Sequence, residues 1–340
     1  VGEPEPAERV VIVAPDSFKG TFTAREVAEE IACGLRAGEI AGIRICPVAD
    51  GGEGTLDVLV GRLGGELREV EVRDPLGRRF TAVFGRSRDG RTAIVEAARA
   101  VGLGLVGAGE RDPEAASSAG VGDLIVAARD GGAKEIVIGL GGSATTDGGA
   151  GAIDAIAEAG GLGGVRLVVL CDVRTPFDQA AEVFGPQKGA DPAAVRRLSG
   201  RLDRLAGRLA RDPRGVPMTG AAGGLSGGLW AQLDAELVGG ASYVLDRLGF
   251  DRLLDGADAV ITGEGRLDSQ TAAGKAVAEV IDRGRRVGVA VHAVVGTDAL
   301  GREAAGELGL SSVREAGTRT ELRAAGLELA GELRSGTWTG

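Results

Sequence analysis

The stretch Leu140-Gly-Gly-Ser-Ala-Thr-Thr-Asp-Gly-Gly-Ala-Gly151 follows the apolar run Glu135-Ile-Val-Ile-Gly139 and leads into an Ala-rich segment of helical character. A strand feeding a glycine loop and then a helix is the repeating unit of α/β architecture. Glycines let a backbone approach an oxyanion closely, and a helix N-terminus offers free N–H groups and positive dipole. Ser143, Thr145 and Thr146 add hydroxyl donors, and Asp147 adds a carboxylate that could face a metal. The loop is therefore expected to hold phosphate through Gly141, Gly142, Ser143, Thr145, Gly148 and Gly149. The competing reading is an ordinary helix cap, since Ser, Thr and Asp are all good N-caps.

Other segments repeat the pattern of an apolar run followed by glycine and carboxylate. Val10-Val-Ile-Val-Ala14 runs into Pro15-Asp-Ser-Phe-Lys-Gly20, and Ile43-Arg-Ile-Cys-Pro-Val48 into Ala49-Asp-Gly-Gly-Glu-Gly-Thr55. Ala257-Asp-Ala-Val-Ile-Thr262 runs into Gly263-Glu-Gly-Arg-Leu-Asp268, and Arg166-Leu-Val-Val-Leu-Cys171 ends at Asp172. In open α/β sheets, ligands sit in the crevice beyond the carboxyl ends of the strands. Each segment alone reads equally well as a turn, because Asp-Gly and Gly-Gly are turn formers. Together they describe one pocket lined by Asp, Glu, Lys and Gly.

These segments also carry a resemblance. The strings VAPDSFKGTFTAREVA (13–28), PVADGGEGT (47–55), GLGGSATTDGGAGA (139–152), CDV (171–173), VFGPQKGA (183–190), GAAGGLSGGL (220–229) and ITGEGRLDSQTAAGK (261–275) resemble the bacterial glycerate kinase family, which is unrelated to P-loop kinases. They come in the family's order, from about Val10 to about Gly296. The resemblance implies a kinase using ATP and Mg2+ on D-glycerate, with 2-phosphoglycerate as product. It also implies two α/β domains with the active site between them. Two departures are visible. The chain is shorter than the family between Gly151 and Arg166, and Arg174-Thr-Pro-Phe177 stands where an Asn-Pro-Leu and Gly-Pro turn is usual.

At 340 residues the chain is long enough for two domains, and 44% apolar content permits a sizeable core. Glycine is abundant, at 60 residues, with no period of three that would suggest collagen. Aromatics make up only 3% and the net charge is −10, which disfavours nucleic acid and anionic membranes as partners. An anionic substrate then requires local cations, and Lys19, Arg266, Lys188 and Lys275 are the candidates near glycine loops. Cys33, Cys46 and Cys171 are an odd number in apolar settings, which suits reduced, buried thiols in the cytoplasm. The polar segment 1–6 reads as a disordered leader without a signal peptide's features. No apolar run approaches the ~20 residues that span a bilayer.

The alternation of strand and helix patterns predicts a Rossmann- or flavodoxin-like domain with a mainly parallel sheet, over 1–70 and 255–340. A second, mixed-sheet α/β domain is expected as an insert over 71–254. Thr23-Ala-Arg-Glu26 forms a capping box ahead of Val27, Ile31 and Leu35 at helical spacing. Glu69–Arg73, Phe80–Phe84 and Thr92–Glu96 are expected as short antiparallel strands. Val195, Leu198, Leu202, Leu205 and Leu209 give one apolar helix stripe, with core packing favoured over a coiled coil.

A kinase must align a hydroxyl with a phosphoryl group, neutralise charge and exclude water. The chain contains neither a GxxxxGK[ST] loop nor the protein-kinase motifs. Gly102-Leu-Gly-Leu-Val-Gly107 fits GxGxxG, yet helical residues precede it where a dinucleotide site needs a strand. His292, the only histidine, sits in an apolar run and reads as structural, so the general base must be a carboxylate. Asp172 is the first choice, with a turn cap as its alternative. Lys19 and Asp16, which share a loop, are further catalytic candidates, Lys19 by holding a carboxylate or the transferring phosphate, and Ser17 beside them is a candidate for substrate binding. Asp50 and Glu53 are candidates for Mg2+ or the glycerate hydroxyls, and Glu264, Arg266 and Asp268 for substrate; Asp147 is the second metal candidate. Two other functions compete: a nucleotide-dependent dehydrogenase of a small hydroxy acid, and a non-catalytic sugar-acid sensor. The residues leave monomer and homodimer both open.

Overall fold

A computed structural model describes residues 9–269, 271 and 275–335. The expected leader at 1–6 lies outside the described residues, as do Gln270 and 272–274 of the 261–275 motif. The strands, in chain order, are β1 (Val10–Pro15), β2 (Gly42–Ile45), β3 (Glu66–Arg73), β4 (Arg79–Arg86), β5 (Thr92–Glu96) and β6 (Glu135–Gly139). They continue as β7 (Arg166–Leu170), β8 (Glu236–Val238), β9 (Ala259–Gly263), β10 (Ala290–Val295) and β11 (Ser312–Glu315). Two sheets result, one in each of two compact units. The first unit comprises the residues up to Asp50 and those from Ala241 onward, and the second is Gly51–Gly240.

In the first unit the order is β11-β10-β9-β1-β2, and every pair is parallel. Renumbered within the unit this is 2-1-3-4-5, the flavodoxin-like order, whose switch point lies between its first and third strands, here β1 and β9. Val11 stands opposite Ala259 and Pro15 opposite Gly263, so both strands end level. Val11 to Ala14 are fully buried, which accounts for a continuous apolar run in place of alternation. The helix Ala24–Ala37 starts at the expected capping box: Thr23 Oγ1 accepts from Glu26 N–H at 3.2 Å, and Glu26 Oε2 accepts from Thr23 N–H at 2.9 Å. Val27, Ile31 and Leu35 are buried in one core with Leu322 and Leu329 of the helix Arg319–Ser335. The two helices cross at glycines. A Cβ on Gly34 would lie 2.0 Å from the Arg323 carbonyl oxygen, so no larger residue fits. His292 is structural: its Nδ1 is 2.7 Å from Ser312 Oγ, and burial, aided by the nearby Arg314 charge, pushes its pKa down to about 4.

In the second unit the order is β3-β4-β5-β6-β7-β8. The first three strands pair antiparallel, as the short strands between 69 and 96 predict, and β5 to β8 run parallel. β3 pairs along its whole length with β4, from Glu66 opposite Arg86 to Arg73 opposite Arg79. Residues 66–70, which the sequence reading puts in the first domain, thus lie in the second sheet. Arg174-Thr-Pro-Phe177 delivers Phe177 to a buried cluster with Leu198 and Leu202 of the helix Pro192–Ala206. The apolar stripe of that helix is therefore core. The shorter 151–166 region is the helix Ala150–Glu158 followed by a turn in which Gly160, Gly161, Gly163 and Gly164 all have positive φ. Gly102 follows the short helix Ala98–Val101 and not a strand, so the dinucleotide fingerprint lacks its context. Cys46 and Cys171 are buried as expected, whereas Cys33 is exposed, on the solvent side of its helix. Among the described residues no helix is long and apolar enough to cross a membrane.

Candidate active site

The switch point of the first sheet opens on a cavity of about 450 Å3. Asp16, Ser17 and Lys19 reach it from the turn after β1, Asp50 from the segment after β2, and Glu264, Arg266 and Asp268 from the turn after β9. Glycine brings these turns together: a Cβ on Gly263 would lie 2.0 Å from the Val294 carbonyl oxygen, and one on Gly296 2.5 Å from that of Gly265. Asp16 N–H donates to the Gly263 carbonyl at 2.8 Å and Gly296 N–H to that of Glu264 at 3.0 Å, tying the strand ends to one another.

Charge is arranged in loose pairs around this cavity. Lys19 Nζ is 3.9 Å from Asp50 Oδ2, Lys275 Nζ is 3.8 Å from Glu264 Oε2, and Arg266 Nε is 3.5 Å from Asp268 Oδ2. All three are long contacts, so each cation stands beside a carboxylate at the edge of the cavity. Burial, and then the neighbouring Asp50 carboxylate, hold Asp16 well above the usual carboxylate range. Burial also raises Glu264, against the hydrogen bond that Thr271 Oγ1 donates to its Oε1 at 2.6 Å. The Ser17 hydroxyl is buried with no hydrogen-bond partner among the described residues. Perturbed carboxylates, cations and a buried hydroxyl without a partner among the described residues, gathered in one crevice, make it the candidate site for a small polar anion.

The glycine loop of the second unit is built differently from the sequence expectation. Asp147 is buried and turned inward: its Oδ2 accepts from Ser118 N–H and Oγ–H, both at 2.8 Å, and from Gly151 N–H at 3.1 Å. Its Oδ1 accepts from Gly149 N–H at 3.1 Å. Ser118 Oγ in turn accepts from Ala152 N–H at 3.0 Å, and the Asp147 carbonyl from Ala150 N–H at 3.2 Å. The amides of residues 149–152, which would otherwise be the orphan donors of the helix start, are thus all taken by the protein. Asp147 is a clamp on that helix, with its oxygens engaged by donors and not directed to a cation.

The glycines of this loop divide by the same test. A Cβ on Gly141 would meet Gly52 Cα at 2.6 Å, one on Gly148 would meet Leu205 Cδ2 at 2.6 Å, and one on Gly149 would meet Leu225 O at 3.2 Å. These three serve close packing. Gly142 is exposed, has φ +70°, and its nearest neighbour to such a Cβ is Ala98 Cβ at 3.6 Å. Ser143 is nearly buried, and Thr145 is fully buried beneath it. The exposed point of the loop is therefore Gly142, in the turn between Gly141 and Ser143. In the same unit Asp172 Oδ1 accepts from Gly240 N–H at 2.8 Å, directly after β7. The preceding Cys171 thiol is buried and its pKa is pushed upward by that burial, which rules it out as a ready nucleophile. Glu53 is exposed, just before the helix Thr55–Arg62.

A family model described as the glycerate kinase family matches residues 11–159 and 153–330. The chain belongs to the glycerate kinase family. It is similar to the glycerate kinase of Halalkalibacterium halodurans, at 40% identity over 338 residues, 89% of each chain. It is likewise similar to the glycerate 2-kinase of Escherichia coli (strain K12), at 40% identity over 303 residues, 78% of this chain and 79% of that one. A crystal structure of glycerate kinase 2 from Salmonella typhimurium LT2 superposes with a TM-score of 0.84 at 36% identity, covering 97% of this chain and 99% of that one. Membership of the glycerate kinase family makes the chain an enzyme of glycerate phosphorylation.

The crevice of the first unit also contains residues to which the sequence reading gave no site role. Thr21, Thr297 and Gly317 line it, and Lys275, named only for its charge, joins them. Thr297 was within reach of sequence reasoning: it follows Val289-Ala-Val-His-Ala-Val-Val295, and the strand-end rule applies to that run as to the others. Gly317 follows β11, a half-exposed strand whose short pattern signals nothing.

Proposed function

We propose that the chain transfers the γ-phosphoryl group of ATP to the 2-hydroxyl of D-glycerate, with Mg2+, releasing ADP and 2-phosphoglycerate. The observation that carries this reading is the crevice at the β1/β9 switch point, where three cations and four carboxylates line one cavity with a buried Ser17 hydroxyl that has no partner among the described residues. Lys19 and Arg266 suit the carboxylate or phosphate charge of the ligands as fixed cations. Asp50, Glu264 and Asp268, with Ser17, suit the glycerate hydroxyls. The similarity to a protein named glycerate 2-kinase supports the 2-position.

Asp172 is the proposed general base. As the glycerate oxygen bonds to the γ-phosphorus, the hydroxyl proton passes to the Asp172 carboxylate, and the bond to the β,γ-bridging oxygen breaks with its electron pair leaving on ADP. The amides of the Gly141–Gly142–Ser143 turn, which donate to no backbone carbonyl among the described residues, suit the nucleotide phosphates, in place of the occupied helix start. Glu53 is exposed and is retained as a substrate-side candidate only. Asp16 and Asp50 fit Mg2+: the neighbouring Asp50 carboxylate raises the proton affinity of Asp16, so a cation beside them is favoured, and Mg2+ needs only one or two carboxylates. Asp147 does not fit, because donors occupy its oxygens. When bound, Mg2+ supplies charge neutralisation for the phosphoryl group.

Purified protein given ATP should form ADP only when both D-glycerate and Mg2+ are present. ADP formation indifferent to glycerate, or none under any combination, would overturn the proposal.

A further inference from the structure

Lys188 has no role in the reaction proposed above, yet it is a cation buried in the second unit. It is only 3% exposed, in the turn Pro186–Lys188. Its ammonium donates to the Thr145 carbonyl at 2.5 Å and to Ser143 Oγ at 3.3 Å. Among the described residues no carboxylate oxygen lies within 4.0 Å of it. Asp147 is the charge that acts on it, and the oxygens of Asp147 are already engaged by Ser118, Gly149 and Gly151. Burial lowers the pKa of Lys188 to about 8. A buried ammonium with no carboxylate in contact is unfavourable, and an anion arriving nearby would relieve it.

Position and hydrogen bonding say where that anion belongs. Lys188 uses a lone pair of Ser143 Oγ, so the Ser143 O–H is left to donate in another direction. No acceptor for it is found among the described residues. Ser143 adjoins the exposed Gly142, where the turn is open. The Thr145 and Thr146 hydroxyls, both fully buried, are also without partners among the described residues. The surroundings thus hold hydroxyls without acceptors among the described residues and a buried cation that no carboxylate contacts.

We propose that Lys188 is a positioning residue for phosphate: it fixes Ser143 as a donor and places positive charge behind the Gly141–Ser143 turn, which takes the terminal phosphate oxygens of a nucleoside triphosphate. This rests on the ATP-dependent reading above. It assigns Lys188 to the nucleotide and not to the glycerate carboxylate.

The test is calorimetric titration of the Mg2+ complex of the non-hydrolysable analogue AMP-PNP into the wild type, Lys188→Met, Lys188→Arg and Ser143→Ala, with steady-state constants for ATP and D-glycerate. Lys188→Met should bind AMP-PNP about ten- to a hundredfold more weakly, the range for loss of a charge-assisted hydrogen bond. Its KM for D-glycerate should stay within about twofold of the wild type. Lys188→Arg should recover part of the affinity, and Ser143→Ala should reproduce part of the loss. Unchanged AMP-PNP affinity in Lys188→Met overturns the proposal, as does a change confined to glycerate. If Lys188→Met does not fold, Ser143→Ala and Lys188→Arg decide: wild-type affinity in the first, or equal losses for both ligands in the second, overturn it. A wild type that binds no AMP-PNP overturns the ATP reading itself, and this proposal with it.

Discussion

Asp147 shows how one residue type in one motif can serve opposite ends. A carboxylate in a glycine loop suggests a metal, but four hydrogen bonds from Ser118, Gly149 and Gly151 make it an internal clamp. Sequence cannot distinguish the two, because the partner Ser118 is 29 positions away. The carboxylates after β1 and β9 were more legible, since their strands are apolar and their turns short. Three variants test the residue assignments. Asp172→Asn keeps an oxygen to accept from Gly240 N–H but cannot take a proton, so turnover should fall ~10²–10⁴-fold with AMP-PNP binding retained. A variant rate above about a tenth of the wild type removes Asp172 from the base role. Lys19→Ala should lower kcat/KM about ten- to a hundredfold, as loss of a charged hydrogen bond does; steady-state constants unchanged for both substrates would leave Lys19 merely solvated. Asp16 has its pKa raised on folding, so its contribution to stability is complete below the ordinary Asp range and is lost as the pH rises through the folded value. Asp16→Asn should therefore melt higher than the wild type at pH ~8 and level with it near pH ~4. Calorimetric scans at both values check this, and a wild-type advantage at the higher pH contradicts it.

Among the elements, the glycine loop after β6 was the part whose location was plain and whose working was not. The strand before it and the helix after it follow from apolar runs and an Ala-rich segment. The division of its glycines does not, because Gly141 is required by Gly52 and Gly148 by Leu205, both distant in sequence. The amides at the helix start are occupied for the same reason. Gly142 is the glycine of this loop with open space around it, and it supplies the element's test. Gly142→Ala places a methyl group in the turn at a left-handed φ, which costs roughly 1–2 kcal/mol of stability. If the turn cradles nucleotide phosphates, the apparent KM for ATP should rise several-fold or more while that for glycerate changes little. An equal rise in both, or a rise for glycerate alone, would show that the turn holds something other than ATP.

Across the whole molecule, two α/β units with a flavodoxin-like sheet and a mixed sheet were both legible from the pattern of runs and turns. What escaped was set by long-range pairing. β3 joins the second sheet through its antiparallel ladder with β4, and Phe177 of the departing segment finds its place only against Leu198 and Leu202. Family membership rests on motifs spread over nearly the whole chain, and the matched ranges agree with that spread. The central claim concerns the reaction, and one measurement addresses it directly. The protein incubated with ATP, Mg2+ and D-glycerate can be followed by phosphorus NMR, with authentic 2- and 3-phosphoglycerate as standards. The ATP γ-phosphorus signal should be replaced by that of 2-phosphoglycerate, in step with ADP. Accumulation of 3-phosphoglycerate, or of inorganic phosphate with no phosphorylated glycerate, would contradict it.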